Sequence, residues 1–234
     1  MSFISLRNIS TPYCLKNVNL DVEAGVLMAV LGFTGAGKST LLNVIAGLIE
    51  YGGDVYFDKY NMNHIPTEKR NVGYLLQDIY LFPHFNVFEN VAFGLRAGGC
   101  PADGIKDKVE KILELLHIAH LKKRFPKDLS GGEKQRVGLA RSIIMEPKIL
   151  LLDEPLSSLD PATAKNIRKE LKILQKSLDL TMLYVTHDFA EARELADRIV
   201  VLAEGQIKQQ GSFQDVFYQP VEEIQEFVVA AHSN

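Results

Sequence analysis

Two kinds of apolar spacing alternate along this chain. Residues 3–9 and 15–22 place apolar side chains at roughly every second position, with Leu15, Val18, Leu20 and Val22 marking the second stretch. That period predicts strands with one face in solvent. Residues 26–31, 72–76, 149–152, 181–185 and 198–202 are instead short, nearly unbroken apolar runs. Such runs read as strands buried on both faces, the habit of parallel sheets. Helical spacing fills the intervals. Leu41, Leu42, Ile45 and Leu48 share one side of residues 39–48; Val87, Val91 and Leu95 recur after Asn86; Ile105, Val109, Ile112, Leu113 and Leu116 recur over 105–116. The prediction is an α/β chain with a mostly parallel sheet and an antiparallel β flap. Residues 79–129 carry no strand pattern and read as a helical insertion. The expected organisation is a core with its flap over 1–78, a helical sub-domain over 79–147, and the rest of the core over 148–234.

Local signals sharpen these limits. Asn86 with Glu89 and Ser130 with Glu133 have capping-box spacing, the second opening a helix expected to run to residue 145. Asp160 followed by Pro161 opens a helix to about residue 178. Asp188 with Glu191, and Ser212 with Asp215, open shorter ones. Gly52-Gly53 is predicted to be a turn before a strand at 54–57, residues 61–70 a polar loop, and Glu204-Gly205 a hairpin turn.

The richest chemistry lies at 32–40, Gly-Phe-Thr-Gly-Ala-Gly-Lys-Ser-Thr, which fits G-x-x-x-x-G-K-[ST]. Triphosphate oxygens need backbone N–H groups at close range. Gly35 and Gly37 leave the backbone bare and allow positive φ. Gly32, Thr34, Ala36 and Thr40 complete the loop. Lys38 reaches the β- and γ-phosphates, and the Ser39 hydroxyl can sit on Mg²⁺. An apolar strand precedes the loop and a helix follows, so the helix N-terminus faces the anion. Three other buried runs end in polar groups: Gln77, the pair Asp153-Glu154, and His187. Two adjacent carboxylates are costly to bury without a cation. Asp153 can hold Mg²⁺ through its water shell, and Glu154 can take a proton from an attacking water. In an open parallel sheet ligands bind at the carboxyl ends of the strands, so four segments are expected to converge on one phosphate site. Ser130-Gly131-Gly132 adds a puzzle. Capping explains the serine, but two glycines in a first helical turn each cost up to ~1 kcal/mol relative to Ala, so an anion is expected to approach there. Tyr13, between the first two strands, is a candidate for stacking on a base.

The totals exclude several classes. The chain has 234 residues, 47% hydrophobic and 24% charged, with net charge −3, which gives no general grip on nucleic acid. Its two cysteines, Cys14 and Cys100, form no metal spacing or disulfide framework. No apolar run approaches the ~20 residues needed to span a bilayer, and the first residues lack a signal-peptide pattern. A cytosolic chain, or one held at a membrane by a partner, is expected.

Taken in order, the 32–40 loop, Gln77, residues 129–133 (Leu-Ser-Gly-Gly-Glu), residues 149–155, Leu159-Asp160 and His187 resemble the ATPase subunit of ATP-binding-cassette (ABC) transporters, over almost the whole chain. Ser130-Gly131-Gly132 is the specific part. The resemblance implies a P-loop NTPase (RecA-like) fold, ATP and Mg²⁺ as cofactors, and a head-to-tail dimer with a second copy. Lys38 and the 35–40 backbone would bind phosphate; Ser39 and Gln77 would bind Mg²⁺ with support from Asp153. Glu154 would act as base, and His187 would contact the γ-phosphate. Ser130 to Gly132 would act across the dimer, with Asp160 at its contact. Residues 81–95 resemble importers of the molybdate, sulfate, polyamine and sugar group. There a polytopic permease would dock near 77–100 and a solute-binding protein would take part indirectly, at the cytoplasmic face of the membrane. An oxyanion such as molybdate or tungstate is the expected cargo, with polyamine, sugar or metal as alternatives. A soluble ABC ATPase, an exporter half and a P-loop kinase are the rival readings. Many members of that group continue into a regulatory β-domain; the sequence stops at 234, so control through such a domain is not expected. The family's stacking aromatic usually sits a few residues before Tyr13, where this chain has Ser10. Leu76 stands where Phe commonly precedes the Gln, and Glu133 where Gln is common; neither is expected to abolish activity.

Overall fold

In chain order the first half of the protein comprises β1 (Ser2–Ser10), β2 (Val18–Glu23), β3 (Leu27–Leu31), α1 (Lys38–Ala46), β4 (Gly52–Phe57), β5 (Tyr60–Asn61), β6 (Val72–Leu75), α2 (Val87–Ala97) and α3 (Ala102–Leu115). The second half comprises α4 (Gly131–Ile143), β7 (Ile149–Asp153), α5 (Pro161–Ser177), β8 (Thr181–Val185), α6 (Phe189–Leu195), β9 (Arg198–Ala203), β10 (Gln206–Gly211), α7 (Phe213–Tyr218) and α8 (Gln225–His232). This computed structural model describes residues 2–232.

The strands form two sheets. One is antiparallel, in the order β2-β1-β4-β5; the other runs β10-β9-β3-β8-β7-β6 and is parallel except for its β10 edge. The predicted flap and parallel core are therefore both present. Strand β7 explains the layering: Ile149 and Leu151 face one way, into a cluster with α1 and the antiparallel sheet, while Leu150 and Leu152 face the other, toward α2–α5. Helix α1 is thus sandwiched between the two sheets. The second cluster runs without a break from the sheet into the helical segment, joining Leu75, Leu152 and Tyr184 to Val91, Val109 and Val137. A third covers β3 and β9 with α6, α7 and α8.

Three local expectations change. Gly52 and Gly53 are not a free turn but the first residues of β4, where Gly52 pairs with Ser10. Gly53 has φ 93°, and a Cβ there would run into the backbone carbonyls of Arg7 and Asn8. Helix α4 ends at Ile143 rather than 145. The 61–70 stretch is not all loop: it begins in β5, contains a short turn of 3₁₀ helix at Thr67–Lys69 and ends in a buried Arg70. The Arg70 guanidinium donates to the carbonyls of Val44, Ile45, Met62 and Ile65. Two of these carbonyls belong to the last turn of α1, where the negative end of the helix dipole favours a cation.

Candidate functional site

Because β3, β8, β7 and β6 are adjacent and parallel, their carboxyl ends share one edge. The glycine-rich loop follows β3, His187 follows β8, Asp153 and Glu154 close β7, and Gln77 follows β6. The four segments therefore meet the edge in the order that the strands dictate.

The loop has the backbone that its glycines predict. Gly35 and Gly37 take φ 81° and 103°, and Gly37 caps α1. A Cβ at Gly37 would stand 2.8 Å from Cys14 Sγ, whereas one at Gly35 would meet nothing, so conformation alone calls for glycine there. The Gly205 N–H, in the hairpin turn, donates to the Ala36 carbonyl at 3.2 Å and closes the loop from behind. Lys38 is buried, and its Nζ donates to the carbonyls of Gly32 (2.8 Å) and Phe33 (3.1 Å). Burial pushes its pKa down, while the charges of Glu154 and Asp153 push it back up. Thr34 is exposed and Thr40 half-buried in α1.

Opposite, the Ser39 hydroxyl donates to Asp153 Oδ1 at 2.9 Å. Asp153 is 5% exposed. Burial raises its pKa; the Ser39 hydrogen bond lowers it, Glu154 raises it and Lys38 lowers it. The Tyr74 hydroxyl, which donates to Asn43, has its pKa raised by burial and then by the Asp153 charge. Glu154 Oε2 lies 3.3 Å from His187 Nδ1. The Glu154 backbone is in the left-handed region, φ 43°, directly before Pro155, where sterics disfavour helical conformations. Its N–H donates to the Val185 carbonyl, and its own carbonyl accepts from the Ser157 hydroxyl. A cavity of about 290 Å³ opens beside this pair, lined by Glu154, Ser157, Arg168, His187 and Glu191 among others.

Other candidates stand apart within one chain. Gln77 is exposed. Tyr13 is exposed, one residue before the Cys14 that packs on Gly37. Ser130 and Glu133 form the predicted capping box at an exposed helix start. Asp160 caps α5, accepting from the Ala162 and Thr163 N–H groups. The two helix starts are neighbours, since a Cβ at Gly132 would stand 2.8 Å from Thr163 Cγ2. Internal packing thus gives a reason for Gly132 that did not need an anion. Gly131 has no such reason: its Cβ would make only an ordinary 3.4 Å contact with Leu159. A separating experiment follows. Gly131→Ala should melt at or above the wild-type temperature, whereas Gly132→Ala should melt lower, by calorimetry. If an ATP dimer closes on this turn, Gly131→Ala should still lose about a hundredfold in ATP turnover, the scale of a 1 Å misplacement.

Sequence reasoning missed a buried network behind His187. Asp188 caps α6, but Glu191 does not return the bond. Its carboxylate instead accepts from the Tyr184 hydroxyl (2.9 Å) and the Thr186 hydroxyl (2.7 Å), and Arg168 faces it at 3.6 Å. Capping-box spacing masked this second use.

A family model described as "ABC transporter" matches residues 15–157, more than half of the chain. The chain belongs to the ABC transporter family. Among curated members, this ABC cassette is 43% identical to the maltose/maltodextrin import ATP-binding protein MalK of Photorhabdus laumondii, over 94% of this chain and 61% of that protein. It is also 43% identical to the sulfate/thiosulfate import ATP-binding protein CysA of Bacillus cereus, over 93% of this chain and 63% of that protein. The cassette therefore spans less than two thirds of these relatives' length. Its fold matches cbiO1 from Clostridium perfringens, part of the ABC transporter complex cbiONQ, with TM-score 0.86, 31% identity and coverage of 99% and 96%. It also matches the ATP-binding cassette MJ0796 in a dimeric post-hydrolysis state bound to ADP and Pi, with TM-score 0.80, 30% identity and coverage of 90% and 98%.

Proposed function

We propose that this cassette is the ATP-binding and ATP-hydrolysing subunit of an importer, working as a head-to-tail dimer beneath a membrane permease. The observation that carries the reading is the pair of contacts at one sheet edge, Ser39 with Asp153 and Glu154 with His187, facing the glycine loop. The residues fit a magnesium–phosphate group. A buried carboxylate beside a second carboxylate, with one lysine as the charge that offsets them, suits a divalent cation, and an ammonium resting on neutral carbonyls is ready to turn to a phosphate. Mg²⁺ would be held by Ser39 and Gln77 with Asp153 behind, and it would neutralise charge on the phosphate oxygens. Lys38 and the 35–40 N–H groups bind the β- and γ-phosphates. Glu154 accepts a proton from the attacking water, and His187, whose Nδ1 lies 3.3 Å from that carboxylate, contacts the γ-phosphate. Tyr13 stacks on the adenine. Ser130 to Gly132 of one copy cover the ATP of the other, with Asp160 at the contact. On this reading residues 1–78 and 148–234 form the ATP core, and 79–147 the helical sub-domain.

Among the described residues no helix is long and apolar enough to cross a membrane. Attachment would come through the permease near 77–100, where Tyr80 is exposed and Phe93 is exposed beside Phe82 and Phe85. The two curated relatives carry chemically unlike cargos in their names, a sugar and an oxyanion, at equal identity. On this reading the cargo is set by the partner chains; molybdate or tungstate is the oxyanion proposed, with sugar, polyamine or metal as the alternatives. Tagged purification from native membranes in mild detergent tests the whole. A polytopic membrane protein in a two-to-two ratio, with Mg²⁺-dependent ATPase activity, is the expected result, and its solute-binding partner would name the cargo. A chain emerging alone and soluble would sink the importer reading and favour the soluble ATPase.

A further inference from the structure

A string of phenylalanine rings runs from the glycine loop into the closing helices. Phe33, inside the loop, meets Phe227 of α8 edge-on at 4.7 Å and 71°. Phe227 also meets Phe189, the first residue of α6, at 4.8 Å. Phe189 continues to Phe217 at 5.1 Å, and Phe217 stacks on Phe213 at 4.5 Å. Phe227 and Phe189 are buried, at 6% and 8% exposure, while Phe33 remains 53% exposed.

Phe33 is unlike a core residue. It sits between Gly32 and Thr34, in a segment whose purpose is a bare backbone, and half its ring stays in water. Its carbonyl does specific work: it accepts from Lys38 Nζ at 3.1 Å and from the Ala36 N–H at 3.1 Å. A ring held from the side limits rotation of the residue that carries this carbonyl. Phe189 stands two residues beyond His187, next to Asp188, whose N–H donates to the Thr186 hydroxyl. One ring on α8 therefore touches the residue that anchors Lys38 and the residue that ends the His187 turn.

We propose that Phe227 is a positioning residue for the nucleotide site: wedged between Phe33 and Phe189, it holds the phosphate loop and the His187 turn in mutual register. The proposal deepens the ATPase reading and rests on it for its effect on nucleotide. It makes α8 part of the binding apparatus although none of the proposed phosphate-binding residues lies on α8.

The test uses the full chain and four variants: Phe33→Ala, Phe227→Ala, the double variant, and Val216→Ala. Val216 lies in the same apolar cluster, fully buried, without a ring in the string. Equilibrium titration with a fluorescent ATP analogue plus Mg²⁺ should give a Kd raised about three- to tenfold in either Phe variant, the worth of one aromatic pair. The double variant should be no weaker than the worse single one, because both remove the same contact. Turnover at saturating ATP should change less than Kd. Val216→Ala should lower the melting temperature but leave Kd unchanged. Wild-type affinity in Phe33→Ala, whose exposed ring is not needed to fold, overturns the proposal; so does equal weakening by Val216→Ala. If the wild-type chain binds no nucleotide, the ATPase reading fails on its own. In that case amide exchange at 33–38 and 187–190 of the nucleotide-free chain decides the wedge. Faster exchange in Phe33→Ala and Phe227→Ala than in Val216→Ala supports it, and equal exchange overturns it.

Discussion

Glu154→Gln should lose steady ATP turnover by about 10²–10⁴-fold, the usual contribution of a positioned general base, while still binding ATP. Removing the carboxylate takes away the proton acceptor but changes little in shape. Glu154 is only half-buried, one oxygen lies 3.3 Å from His187 Nδ1, and the backbone is fixed independently by Val185 and Ser157. The amide should therefore keep the local geometry. Binding and chemistry should separate: nucleotide affinity near wild type, and a dimer that persists with unhydrolysed ATP, seen by gel filtration. Single-turnover measurement is the direct check, because it excludes product release. Hydrolysis within a few-fold of wild type would remove Glu154 as base and move attention to His187.

The second large effect is on stability. Arg70→Ala should cost about 3–4 kcal/mol, the loss of two or three net charge-assisted hydrogen bonds, read as a lower urea midpoint at unchanged slope. Arg70 is 6% exposed and its guanidinium donates to four carbonyls and to the Tyr51 hydroxyl. It also approaches the Tyr51 ring, 6.0 Å from the centroid. Arg70→Lys should recover less than half, because one ammonium cannot span a fork of acceptors. Full recovery by lysine would mean that charge at the end of α1, not the hydrogen-bond geometry, is what matters.

Arg70 also marks where legibility in the sequence ends. The capping boxes at Asn86, Ser130 and Ser212 are readable because both partners lie within four residues. The parallel sheet is readable because burial on both faces erases alternation, as in β7 and β8. The strand-end clustering follows from that sheet by a topological rule, so Ser39 could be expected near Asp153 although 114 positions separate them. Arg70, in contrast, sits in a polar stretch, and apart from the Tyr51 hydroxyl its partners are backbone carbonyls up to 26 positions away, which leave no trace in residue identity. Gly205 reads as a turn residue, yet a Cβ there would run into the Cys14 carbonyl. The link from Phe33 to Phe227 has no periodicity to betray it. Residues expected to act on a second copy, Ser130 to Gly132, can be placed at a helix start from one sequence, but the surface that they meet belongs to another molecule.

The left-handed backbone at Glu154 has an evolutionary consequence. A non-glycine residue held there stores about 1–3 kcal/mol of strain, and glycine would release much of it while deleting the carboxylate. Heat tolerance and turnover therefore pull in opposite directions at this position. Selection of variants by melting temperature alone would enrich chains that are sturdier and inert, so any search for a hardier form of this cassette must score ATP consumption alongside survival.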